Sequence, residues 1–95
     1  MKVLKIYGLA NGGPTPFDGQ YLVEYDPTRD GVDPNGDPMS AHLVTTPDVG
    51  KALKFQTAAE AMALWRKEHG IRPDGLPNRP LTAFTVEVLP AWEGI

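Results

Sequence analysis

The sequence predicts an α+β domain, a small antiparallel sheet of three to four strands with one main helix packed across one face. Three observations carry this. Short runs with period-two alternation mark strands near the N-terminus, after residue 20 and, most strongly, over residues 81–89. One helical stretch, residues 55–70, has start and stop signals at its two ends. The strands precede and follow that helix instead of alternating with several helices, which is the segregated α+β pattern. With 95 residues, the whole of 1–95 is expected to form a single domain.

Taken in order, residues 3–7 set Leu4 and Ile6 against Val3, Lys5 and Tyr7, a strand that Gly8 is expected to end. The following GLANGGPTPFDG is dense in glycine and proline and reads as turns. Residues 20–25 alternate again, with Tyr21, Val23 and Tyr25 on one face and Gln20, Leu22 and Glu24 on the other. Residues 26–40, DPTRDGVDPNGDPMS, contain three Asp-Pro corners, each biased to extended or turn backbone. They are expected to form a long loop without secondary structure, a kind that is usually functional or disordered. Residues 42–46 resume as a third strand, and Thr46-Pro47-Asp48 reads as a helix start with Thr46 as N-cap. Residues 51–55 lead into the main helix as either strand or helical turn.

In the main helix Thr57 is the expected N-cap and Glu60 completes a capping box. Gly70 is the expected stop, with Lys67 and His69 suited to the negative end of the dipole. Ala58, Ala61, Met62, Trp65 and His69 fall within an arc of about 100°, flanked by Leu64. Trp65 is therefore read as core. The segment IRPDGLPNRP then turns at Pro73-Asp74-Gly75 and continues extended into residues 81–89, where Phe84, Val86 and Val88 form the floor beneath the helix.

Composition removes several chemistries. The chain has no cysteine, hence no disulfide, thiolate nucleophile or cysteine zinc site. No apolar run reaches the ~18 residues of a membrane span and the start has no signal-peptide pattern, so a cytoplasmic setting without membrane contact is expected. The net charge of −3 is uneven. Residues 1–50 hold three basic against seven acidic side chains, net −4, and residues 51–95 six against five, net +1. So acidic a half argues against direct nucleic-acid binding, which depends on neutralising phosphates.

No catalytic residue is singled out, because Ser40 lies in no nucleophile elbow and His42 and His69 have structural positions; the chain is not expected to be an enzyme. Asp33, Asn35 and Asp37 begin a calcium-loop pattern, but Pro38 replaces its central glycine and Val44 its final glutamate. No metal or cofactor is expected. Two binding surfaces remain. The first is acidic, with Asp26, Asp30, Asp33 and Asp37 around Arg29 and Trp92 as an aromatic anchor, and suits a protein partner with a basic surface. The alternative is a small anion or nucleotide held by Arg66, Arg72 and Arg79, whose guanidinium forks match phosphate and carboxylate.

The stretches FDGQYLVEYDP, ALKFQTAAEAMALW and RPLTAFTVEV, and within them Ala52-x-x-Phe55-x-Thr57-x-x-Glu60-Ala61, give the chain a texture that resembles small accessory proteins of phages and prophages. The resemblance implies a compact α+β domain that binds and inhibits a host protein, the anti-CRISPR type of defence inhibitor included. On it, a non-catalytic protein-binding domain acting through the acidic loop is the first functional expectation.

Overall fold

The computed structural model describes residues 1–91. Its strands are β1 (Lys2–Leu9), β2 (Tyr21–Asp26), β3 (Gly31–Val32), β4 (Pro38–Met39), β5 (His42–Thr46) and β6 (Phe84–Pro90). Helix α1 spans Ala58–Trp65, and single 3-10 turns occupy Val49–Lys51 and Pro80–Ala83. Four strands form an antiparallel sheet in the order β5-β2-β1-β6, and β3 pairs with β4 in a separate hairpin. This is the predicted α+β arrangement, with α1 lying over β1 and β6.

Alternation along β1 divides the core. Leu4 and Ile6 face a main cluster with Phe17, Leu22, Leu43, Phe55, Leu81 and Ala61 of α1, against which Trp65, Phe84, Val86 and Val88 pack. Val3 points the other way, into a smaller cluster with Tyr21, Ala52 and Leu89. Both sheet faces are thus covered at this end, and Val3 and Leu4 are the largest fully buried side chains.

Several boundaries differ from expectation for identifiable reasons. Gly8 does not end β1. The strand runs through it with a register shift between Ile6 and Gly8, and its φ of +150° and a 3.0 Å approach of a Cβ to the Gly13 carbonyl oxygen both favour glycine. In β2 a second irregularity between Leu22 and Glu24 breaks the expected alternation: Tyr21 enters the smaller cluster while Leu22 and Tyr25 join the main one. Asp48, not Thr46, caps the turn at Val49–Lys51, accepting from the Gly50 N–H at 2.9 Å, while the Thr46 hydroxyl accepts from the Asp48 N–H. Residue 51 ends that turn and Phe55 bridges back to Lys2, so residues 51–55 hold neither a full strand nor a helix.

The N-terminus of α1 follows the capping rule. The Glu60 N–H donates to the Thr57 hydroxyl at 3.2 Å, and the Glu60 carboxylate returns to the N–H of Gln56 at 3.0 Å, one residue outside the cap. The C-terminus does not follow. The helix closes at Trp65 with Arg66 as C-cap, well short of Gly70, and Ala58 and His69 are exposed. Residues 66–70 offer no apolar side chain to bury, so extending the helix would gain little packing. Their hydrogen bonds go elsewhere: the His69 N–H donates to the Asn78 carbonyl at 2.7 Å and the Asn78 N–H to the Gly70 carbonyl at 3.0 Å. The final strand likewise starts later than expected, at Phe84, because Pro80 opens a 3-10 turn that buries Leu81.

Residues 26–40 are not a structureless loop. Gly31 pairs with Met39 and Val32 with Pro38, closing a hairpin over Asp33 to Asp37. A Cβ on Gly31 would meet the Ala41 carbonyl oxygen at 2.6 Å and the His42 Cα at 2.9 Å, so only glycine lets the hairpin lie this close to β5. Among the described residues no helix is long and apolar enough to cross a membrane.

Candidate functional site

Trp65 is the fixed point from which a cleft is built. Its indole N–H donates to the Phe84 carbonyl at 3.2 Å, locking the ring between α1 and β6 and setting Arg66 at the helix end. Beyond it residues 70–78 fold back as a tight loop. The Arg72 N–H donates to the Leu76 carbonyl at 2.8 Å, the Gly75 N–H to the Arg72 carbonyl at 2.9 Å, and the Asp74 carboxylate accepts the Leu76 N–H at 3.1 Å. The Thr82 hydroxyl donates to the Arg79 carbonyl and fixes the far wall.

This folding back brings Arg66, Arg72 and Arg79 around one cavity of about 570 Å³, together with Trp65, Leu76 and Asn78. Their charges are not equally committed. Arg72 forks onto Asp74, with Nε at 3.3 Å and Nη2 at 2.9 Å, and Arg79 Nη2 lies 3.1 Å from Glu68. All four of these side chains are about half exposed, where such pairs contribute only ~0–1 kcal/mol and exchange readily. The Arg66 guanidinium makes no ion pair or hydrogen bond among the described residues. Among the described residues, three cations therefore line the cleft beside an aromatic and an aliphatic wall, two of them weakly engaged by carboxylates. Such a surface suits a phosphate or carboxylate carried on an apolar body.

The acidic residues lie along the other hairpin, and two of the four are occupied by its own turns. The Asp26 carboxylate accepts from the Thr28 hydroxyl at 2.6 Å and from the Thr28 N–H at 2.9 Å. Those bonds, the hydroxyl first, with the nearby charges of Arg29 and His42, hold its pKa below the ordinary 3.8 despite some desolvation. A carboxyl with a depressed folded pKa contributes stability that is fully present above the unfolded value and lost as pH falls through the folded one. The urea midpoints of wild type and Asp26→Asn are expected to differ at neutral pH and to converge below pH 3.8. A gap that is constant with pH would contradict this.

Asp33 accepts from the N–H groups of Asn35 and Asp37, each at 2.9 Å, so the calcium-like spacing forms a turn. Among the described residues no three His, Asp or Glu side chains converge as metal ligands. Arg29 approaches Glu24 at 3.8 Å, and His42 Nε2 lies 3.3 Å from the same carboxylate. Asp30 and Asp37 are exposed, and their carboxylates have no partner among the described residues. Trp92 lies outside the described residues.

Sequence reasoning named the three arginines but missed the other walls. Trp65 was assigned to the core alone, whereas it both packs there and lines the cleft. Asn78 and Leu76 had one available signal, the turn chemistry of Pro73-Asp74-Gly75, which folds them back on the helix end. Tyr25, placed by the sequence on the same strand face as Tyr21, instead packs against the main cluster. Its hydroxyl is buried without a hydrogen-bond partner among the described residues, and desolvation, with the charge of Asp26, raises its pKa. No family model matches the chain, and no curated protein or solved structure is significantly similar to it.

Proposed function

We propose that the protein is a binding domain that captures an anionic group, the phosphate of a nucleotide or the carboxylate of another small ligand, in the cleft between the end of α1 and the 70–78 loop. The observation that carries this reading is the convergence of Arg66, Arg72 and Arg79 on one cavity, with Arg66 unpaired among the described residues. Arginines, an amide and apolar walls are groups of recognition, and among the described residues no side chain around the cleft is paired with a base as a nucleophile would be. The role is binding without turnover. A ligand at ~100 times its Kd adds ~2.7 kcal/mol of stability, enough to raise the Tm of a domain this size by roughly 10 °C or more. A panel of mononucleotides, inorganic phosphate and dicarboxylates is expected to contain at least one compound that does so. A flat response across the panel would refute the reading.

A second reading is favoured by the pairing of the acidic hairpin, which presents Asp30 and Asp37 on a fixed backbone with carboxylates that have no partner among the described residues. Such an element suits a basic protein partner, as in an inhibitor of a host protein. A partner retained equally by Asp30→Asn/Asp37→Asn would argue against that element as the contact.

A further inference from the structure

The two oppositely charged loops share a second property. Setting aside the N-terminal Met1, the three most exposed large apolar side chains among the described residues are Ile71 at 72%, Val32 at 60% and Leu76 at 54%. Val32 belongs to the acidic hairpin, and Ile71 and Leu76 to the loop bearing Arg72. Each loop thus pairs charge of one sign with uncovered aliphatic surface, the composition of an interface whose core is apolar and whose rim is charged.

One short turn adjoins both features. Arg79 and Thr82 line the arginine cleft, while Pro80, Leu81 and Ala83 from the same short turn line a recess of about 180 Å³ with Met39 and Ser40 at the base of the hairpin. A surface that carries a site and its complement side by side is self-complementary, and two copies related by a two-fold axis satisfy both contacts at once.

We propose that the occupant of the arginine cleft is the acidic hairpin of a second copy of this chain, in a reciprocal dimer where Asp30 and Asp37 of each copy meet Arg66 and Arg72 of the other, over contacts between Val32 and the Ile71–Leu76 aliphatics. The inference rests on the reading of the cleft as an anion site, and it replaces a small ligand with a carboxylate-bearing segment. The weak pairs to Asp74 and Glu68 then keep the cleft in shape in the monomer and yield in the dimer.

Sedimentation equilibrium of the wild-type chain at low and high salt tests this, since the screening length falls from about 30 Å at ~0.01 M to about 3 Å at ~1 M. The expected result is a dimer at low salt that dissociates at high salt. Two charge reversals sharpen it, Asp30→Lys/Asp37→Lys and Arg66→Glu/Arg72→Glu, all at exposed positions. Each variant alone is expected to be monomeric, because its hairpin and cleft now carry the same sign. Mixed in equal amounts they should form a one-to-one heterodimer, because both contacts are restored. A wild-type chain that stays monomeric at low salt up to millimolar concentration overturns the dimer, as does a wild-type dimer whose two variants fail to associate with one another. A monomer still stabilised by phosphate or a nucleotide would leave the anion site standing without the dimer, and a monomer stabilised by nothing in the panel would remove both.

Discussion

Leu4→Ala is expected to lower the stability of the domain by about 3–5 kcal/mol, the upper part of the range for deleting a buried leucine in a site that cannot collapse. Leu4 is 2% exposed, stands on β1, one of the two central strands, opposite Val88 of β6, and shares its cluster with residues of β2, β5 and α1. The surrounding walls are held by backbone pairing on both sides of β1, so the vacated space stays open. Domains of this size hold only ~5–15 kcal/mol in total, and the variant should be partly unfolded near physiological temperature. In urea, the midpoint should fall with the m-value unchanged. Leu53→Ala, at a side chain 38% exposed, serves as the control and should cost under ~1 kcal/mol. Similar losses at the two positions would mean that the core is not where it is placed here.

The second large effect is on binding. Arg66→Ala is expected to weaken the anionic ligand found by thermal shift by roughly ten- to a hundred-fold, the equivalent of ~1.5–3 kcal/mol for hydrogen bonds to a charged group. The Tm of the unliganded monomer should not move, because the Arg66 guanidinium makes no hydrogen bond or ion pair with the other described residues. That pairing of a binding defect with unchanged stability separates a recognition role from a structural one. Arg72 and Arg79 should give a smaller loss, since each guanidinium is already engaged, by Asp74 or Glu68, and must give up part of that contact to hold the ligand. Asp74→Asn is expected to move affinity the other way, because it releases Arg72 from competition.

What was legible in the sequence followed from local chemistry. The Thr57 cap and the period-two run through Phe84, Val86 and Val88 act over a few residues, and both stand in the structure. The helix end was not legible in the same way. Lys67, His69 and Gly70 form a good local stop signal, but pairing of residues 69 and 70 with Asn78, set by a turn further along the chain, takes their backbone groups instead. The faces of β2 were misread for a similar reason: the irregularity after Leu22 depends on the partner strand β5 and leaves no mark in the alternation itself.

The site divides along the same line. Asp26 and Asp33 look like free charges in composition, yet aspartate before a turn commonly bonds the backbone two residues on, and each does so. Read with that rule, the acidic cluster would have reduced to Asp30 and Asp37 from the start. The arginines were visible as candidates by type, but spacings of 66, 72 and 79 say nothing about convergence until the 70–78 loop is seen to fold back. The place of Trp65 on the apolar stripe of the helix accounts for its packed surface and leaves no mark of the second one, which faces the cleft.

The central claim is that the cleft bounded by Trp65 and the three arginines receives an anionic group. It is tested most directly by titrating the ligand that gives the largest thermal shift into the isotopically labelled Asp30→Lys/Asp37→Lys chain, whose hairpin does not compete for the cleft, and following the Trp65 indole N–H and the arginine side-chain N–H signals. Saturable shifts confined to Trp65, Arg66, Arg72, Arg79 and the 70–78 backbone, abolished in Arg66→Ala, are the predicted result. Saturable shifts that map instead to the hairpin at residues 26–40, or binding that Arg66→Ala leaves intact, would contradict it.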